Sequence, residues 1–202
     1  AFPVADWGRY NKRLKIGGVK ITVDAAPQGR TAAFTTPYLT GGPGGEKNWK
    51  GELFAPQDAI NQGLEKIYGL GVPVTFHVNG DAAIDSLIKA HEFAAADDPT
   101  RERNVTAIHA QFTRKDQVAK YVQYKIRPSF YTLHTYYFAE AHIKNRGKAQ
   151  AMYISPMRDA IDAGLHPTNH TDAVVAPLDQ LFMLWSAVNR ISRGGAEIGP
   201  DQ

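Results

Sequence analysis

Lys20, His77, His109 and Asp172 are residues whose types and placement could together hold a divalent cation. Lys20 lies in GVKITVD (18–24) and His77 nearly closes VPVTFHV (72–78). His109 lies in NVTAIHA (104–110), and HPTNHTD (166–172) carries both His170 and Asp172. The chain has no cysteine, so disulfides and thiolate metal sites are excluded. Any metal must be held by His, Asp, Glu or a modified Lys. Those donors suit a hard or borderline divalent cation such as zinc, as one ion or two. Singly, each residue has a plainer explanation: a strand lysine, a hydrogen-bonded core histidine, an aspartate capping the next segment. Together they share one end of separate strands. His91 sits within a helical stretch and reads as helix surface. His166 begins its strand and points to the opposite end of the sheet, so both are set aside.

The elements that must position these residues follow from periodicity. GVKITVD alternates β-branched and polar residues, as a strand does. Residues 25–56 hold APQGR, TTPYLT and GGPGG and read as a long loop, a binding loop or lid. Residues 56–69 read as a helix with Pro56 in its first turn and Ile60, Leu64 and Ile67 on one face. The pattern then repeats: strand 72–78, helix 82–95 with Asp81 as N-cap, strand 104–110, helix 114–124 and strand 126–132. An aromatic-rich connection, LHTYYFAEAH, leads on. Helix 155–164 follows, with Ser155 at its cap and Gly164 at its end, then strand 166–172 and helix 177–192. Alternating strands and helices predict parallel strands joined by right-handed crossovers, in a (β/α) barrel or a doubly wound sheet. No Gly-x-Gly-x-x-Gly follows the first strand, which argues against a dinucleotide site.

The bulk properties narrow the field. The 202 residues suit one domain or a piece of a larger one. Lys+Arg 23 against Asp+Glu 20 gives a mild +3, and the basic runs at 9–15 and 101–103 lack interleaved aromatics, so no nucleic-acid partner is expected. The apolar stretches are too short for a membrane span, and AFPVADWGRY lacks the order of a signal peptide, so the expected location is cytoplasmic. The chain begins at Ala1, as a processed product or a fragment edge would.

The motifs GVKITVDAAPQGRTA, FHVNGDAAID, IHAQFTRKDQ, PSFYTLHTYYFAEAH and NHTDAVVAPLDQLFMLWSAVNR, with GPDQ at the end, resemble amidohydrolase family 3. This is the YtcJ-like branch of the metal-dependent amidohydrolase superfamily, which includes N-substituted formamide deformylase. The resemblance runs over nearly the whole chain. It implies an α/β fold, a (β/α)8 TIM barrel of the metal-dependent hydrolase type, of which residues 1–202 hold strands four to eight. The His-x-His pair of the family's first strand and its β-sandwich segments do not occur in this sequence. Three stretches depart from the family pattern. Asp24-Ala25-Ala26 stands for Asp-Gly-Ser, Ile108 stands for the Glu before His109, and Asp172-Ala173-Val174 stands for Asp-Ala-Pro.

The resemblance implies hydrolysis of an amide-type C–N bond in an N-substituted formamide, an N-acyl amine or a cyclic amide. Lys20, carboxylated as in many superfamily members, His77, His109 and Asp172 would be the metal ligands. A divalent metal would lower the pKa of bound water to about 7. Asp172 would shuttle the proton from that water to the leaving nitrogen, and His109 would help polarise the carbonyl. His134 and Tyr136, after strand seven, and Gln28 and Arg30, in the loop after strand four, are the expected substrate contacts. The expected partners are a small-molecule amide, the N-terminal half of the same enzyme, and a second copy in a homo-oligomer. The alternative is a catalytically incomplete barrel acting as a structural or binding module, since a half barrel exposes two sheet edges. A phosphate-binding barrel would need a Gly-rich cradle after strand seven or eight, and GGPGG lies elsewhere.

Overall fold

The computed structural model describes residues 3–202. A short antiparallel hairpin, β1 (Tyr10–Asn11) and β2 (Leu14–Lys15), precedes the main sheet. The sheet holds β3 (Val19–Thr22), β4 (Val74–Val78), β5 (Val105–His109), β6 (Arg127–Phe130) and β7 (Thr168–Asn169), parallel and in chain order. A doubly wound sheet reverses its strand order at a switch point, and this one does not. The fold is therefore α/β with a singly wound sheet, the arrangement of a partial TIM-barrel-like fold.

The crossovers are α1 (Gln57–Leu70), α2 (Asp81–Ala94) and α3 (Lys115–Tyr124). Four short helices, α4 (His134–Tyr137), α5 (Ala139–Arg146), α6 (Lys148–Met152) and α7 (Met157–Asp162), lie between β6 and β7, and α8 (Gln180–Asn189) follows. The first three of these short helices replace the expected aromatic connection and the residues after it. Residues 25–56 contain no helix or strand, as expected, yet they bury Ala32, Ala33, Phe34 and Tyr38.

One sheet face is packed and the other is not. Val74, Phe76 and Val78 of β4 and Val105 and Ala107 of β5 meet Ile60 and Leu64 of α1 and Ile84 and Leu87 of α2 in the core. Each such buried Val, Leu, Ile or Phe side chain contributes about 1.5–3 kcal/mol relative to exposure. The alternate residues Thr75, His77, Thr106 and Ile108 are half-buried, and Lys20 and Thr22 are exposed. In a closed barrel that inner face would be filled by side chains. Among the described residues, β3 and β7 are edge strands of the sheet. On and before α8, Leu178, Leu181, Leu184 and Val188 are exposed, Leu181 by 80%. No helix of the described residues is long and apolar enough to cross a membrane.

Several local expectations are corrected. Gly80, not Asp81, is the N-cap of α2. The Asp81 carboxylate instead accepts from Thr35 N (2.9 Å) and Thr35 Oγ1 and pairs with Arg114 (3.0 Å). Pro156 occupies the cap of α7, while Ser155 Oγ accepts from Gln111 Nε2. Helix α8 starts with Asp179 as its cap, accepting from Phe182 N at 2.9 Å, so Pro177 lies outside it. The strand expected over 166–172 shrinks to Thr168–Asn169, leaving His170 and Asp172 just beyond its C-terminal end.

His91 is not helix surface but fully buried. Ile84, Leu87, Ile88 and His91 form one stripe at helical spacing, so the histidine continues the core face of α2. Its Nε2 donates to Pro99 O (2.8 Å), because a carbonyl can only accept, and its Nδ1 then accepts from Tyr68 OH (2.7 Å). Burial, first, holds its pKa below the ordinary 6.5. The unfolded chain then binds more protons than the native one, so this contribution is intact above pH 6.5 and is lost as pH falls below it. Stability against urea should therefore rise with pH over the acidic range. His91→Phe should flatten that rise, with the remainder due to the other buried histidines; an unchanged slope would exclude His91 as a contributor.

Candidate functional site

The site is framed by one buried carboxylate. Asp24 lies two residues past the end of β3 and is fully buried. Its Oδ2 accepts from Ala33 N (3.0 Å) and Gly80 N (2.8 Å), and its Oδ1 accepts from Asn79 N (2.9 Å). The end of β3, the long loop and the turn after β4 are thus tied to a single side chain. A Cβ at Gly80 would collide with the Ala33 carbonyl oxygen, so the loop can close against this turn only over glycine. Burial pushes the Asp24 carboxyl up to about 7, against the downward pull of the three amide donors.

His77 stands beside this carboxylate. Its Nδ1 is 3.8 Å from Asp24 Oδ1, too long for a hydrogen bond, and is buried with no hydrogen-bond partner. Strand alternation would send His109 to the helix side with Val105 and Ala107. Left-handed backbone at His109 (φ 69°) and Ala110 (φ 46°) breaks that alternation, and the His109 ring meets the His77 ring edge-on at 4.4 Å. A non-glycine residue in this region costs about 1–2 kcal/mol, strain of the kind that gathers at functional sites. His170 Nε2 lies 3.0 Å from His109 Nδ1, and His170 Nδ1 lies 3.2 Å from Ser129 Oγ. A proton on His109 Nδ1 would leave its Nε2 bare, the state a metal ligand needs.

The rings continue outward. Tyr131 stacks on His170 (5.4 Å) and meets His134 edge-on (4.7 Å). Burial, first, lowers the pKa of every histidine in the group. His109 falls to about 2, helped by His77, His170 and Lys20. His170 falls to about 4, with Asp172 opposing the drop. His77 is lowered by burial and by Lys20. All are neutral at pH 7, so their lone pairs are available.

A cavity of about 110 Å³ opens between His77, Asn79, His109, Tyr131, His134, Asp172 and Gln28. The structure thus brings five expected site residues, Gln28, His77, His109, His134 and Asp172, to one place. Gln28 Oε1 is buried without a partner. Lys20 is exposed and does not line the cavity. It lies on the same sheet face, one pleat below His77, in register with Thr75. Arg30 and Tyr136 also do not line it. Arg30 is folded into its own loop, reaching Thr40 O (3.4 Å), while its carbonyl accepts from Trp49 Nε1 (2.6 Å). Tyr136 packs against Phe182 (4.8 Å) and Trp185 (6.1 Å), because apolar rings on α4 and α8 bury one another. Sequence reasoning assigned no role to Asp24, His170 or Tyr131. The spacing His170-x-Asp172 was the available signal for His170.

The donor chemistry fits a divalent cation: two neutral imidazoles, His77 and His109, and the carboxylate of Asp172 belong to residues that line one cavity. Among the described residues, however, no group of three or more His, Asp or Glu side chains is close enough to hold an ion. A larger cleft, about 290 Å³, lies elsewhere between Phe34, Phe112 and Tyr153 and contains none of these donors.

Comparison with known proteins follows the same lines. The sequence profile of the Amidohydrolase family matches residues 3–202. The chain is 24% identical to Protein LONG AFTER FAR-RED 3 of Arabidopsis thaliana, over 94% of this chain and 34% of that protein. It is 25% identical to the putative amidohydrolase YtcJ of Bacillus subtilis (strain 168), over 89% of this chain and 32% of that protein. The chain thus spans about a third of the length of these curated relatives. Among solved structures, an uncharacterized metal-dependent hydrolase from Pyrococcus furiosus superposes with a TM-score of 0.76 at 26% identity, covering 92% of this chain and 37% of that one. One from Pyrococcus horikoshii, at 24% identity, shares the fold with a TM-score of 0.78 over 96% and 37%.

Replacing Asp24 by Asn sets an N–H against at least one of three amide donors. Asp24→Asn should lower unfolding stability by about 2–3 kcal/mol, read as a shifted urea midpoint. A midpoint equal to wild type would show that the carboxylate does not tie these segments.

Proposed function

The chain belongs to the Amidohydrolase family, and from that premise we propose that it carries the later-strand part of a metal-dependent hydrolase active site that cleaves an amide-type C–N bond. The substrate class is an N-substituted formamide, an N-acyl amine or a cyclic amide. The observation that supports this reading best is the convergence of His77, His109 and Asp172 on one cavity at the C-terminal ends of parallel strands. His77, His109 and Asp172 would hold the metal, with carboxylated Lys20 a further ligand. When bound, a divalent metal, zinc by donor type, supplies a water acidic enough to ionise near pH 7.

The chain's own residues do the rest. Asp172 accepts the proton of the attacking water and returns it to the departing nitrogen. The His170–His109 hydrogen bond fixes the His109 ring, and Asp24 lies behind His77 as its carboxylate neighbour. His134 and Gln28 contact the substrate. The exposed inner face, the two edge strands and the apolar face of α8 would be covered by the rest of a barrel, supplied by further polypeptide of the same enzyme. A second reading, a barrel piece that binds without catalysing, is favoured by one observation: no three ligands meet among the described residues.

Two measurements separate the readings. Calorimetric titration with zinc should show binding that His77→Ala and His109→Ala each weaken by at least about tenfold. Hydrolysis of N-formyl and N-acyl amines with added zinc, by the polypeptide carrying this sequence, should drop by about 100-fold or more in Asp172→Asn. Equal turnover by both proteins would remove Asp172 from the chemistry. Absence of zinc binding would favour the non-catalytic reading.

A further inference from the structure

His134 and His142 form a buried pair of which the hydrolytic reading uses only His134. His134 opens α4 and lines the cavity, and His142 lies in α5 behind it. Their rings stack at 5.2 Å with 9° between planes, and His134 Nδ1 is 3.0 Å from His142 Nε2. His142 is fully buried against the rings of Phe112 (5.2 Å) and Phe138 (6.4 Å). Its Nδ1 is buried with no hydrogen-bond partner. His134 Nε2 makes no hydrogen bond among the described residues and is not enclosed, so it is the atom of that ring left to the cavity.

A hydrogen bond between two neutral imidazoles needs one N–H and one lone pair, and only two arrangements supply them. In the first, His134 Nδ1–H donates to His142. His142 must then carry its proton on Nδ1, stranding an N–H in an apolar pocket. In the second, His142 Nε2–H donates to His134. The orphan on His142 is then a bare lone pair, and His134 carries its proton on Nε2. Orphaned buried N–H groups are rarer in native proteins than under-satisfied acceptors, which favours the second arrangement. The cavity favours it independently. Asp172 lines it, and a carboxylate can only accept. A donor on His134 complements it; a lone pair would repel it.

We propose that His142 is a positioning residue that locks His134 as an N–H donor facing the cavity, where it holds the carbonyl oxygen of an amide. The lock rests on the pair's geometry, and the carbonyl rests on the proposed function. Such a donor stabilises negative charge that develops on the oxygen as water attacks.

Two-bond ¹H–¹⁵N correlations on the polypeptide carrying this sequence, labelled at histidine, with His134→Gln to assign the signals, report which nitrogen is protonated. The expected result is a proton on Nε2 and a bare Nδ1 for both His134 and His142. A proton on His134 Nδ1 in the wild type overturns the inference. His142→Gln keeps an N–H donor and should preserve the tautomer; His142→Phe removes the donor and should shift His134 to a mixture. Titration with N-methylformamide should move the His134 Nε2 signal in wild type and His142→Gln, with at least about tenfold weaker binding in His142→Phe. If His142→Phe does not fold, the wild type and His142→Gln decide. A locked tautomer whose signal ignores N-methylformamide overturns the amide assignment of the cavity while the lock stands.

Discussion

The geometry of the site depends on the carboxylate of Asp24. Its two oxygens gather three amides from two chain segments, the long loop at Ala33 and the turn after β4 at Asn79 and Gly80, and so tie both to the end of β3. Desolvation opposes this arrangement, so the gain must come from ordering what surrounds it. The loop that carries Gln28, the strand end that carries His77 and the start of α2 all take their positions from it. The Cβ-free approach at Gly80 is the second half of the same constraint.

Much of the scaffold was legible because its signals are local. Alternating β-branched residues marked β3, β4 and β5, and helical spacing marked α1 and α3 nearly to their ends. Chain-order sheet pairing, which distinguishes a barrel-type winding from a doubly wound one, is set by crossover packing and was not readable from spacing. The clustering of His77, His109 and Asp172 was legible from their shared strand ends. The posture of His109 was not, because a left-handed backbone at a histidine leaves no mark in composition. The polar type of His91 points to the surface, while the stripe it shares with Ile84, Leu87 and Ile88 points to the core. The core position wins because the partners that satisfy the ring, Tyr68 and Pro99, come from outside the helix.

Arg30 and Tyr136 show the converse error. Each follows a strand end in sequence, as site residues do, but sequence proximity does not say which way a side chain turns. Arg30 is turned inward by the carbonyls of its own loop, and Tyr136 by the rings of Phe182 and Trp185. Gln28, two residues from Arg30, remains in the cavity with its acceptor unsatisfied. The exposed Lys20 and the uncovered apolar face of α8 mark where packing stops within this chain.

The long loop after β3 is anchored at many points. The Arg146 guanidinium lies 3.8 Å over the Phe34 ring and donates to Thr36 O (3.0 Å) and Pro37 O (2.8 Å), while Tyr38 OH donates to Ala32 O (2.9 Å). A rim fastened from both flanks has little freedom to swing. On the proposed function, discrimination among substrates turns on the contour of a fixed mouth rather than on a closing motion. Retuning that contour falls to replaceable lining residues such as Gln28, while the fasteners stay as they are.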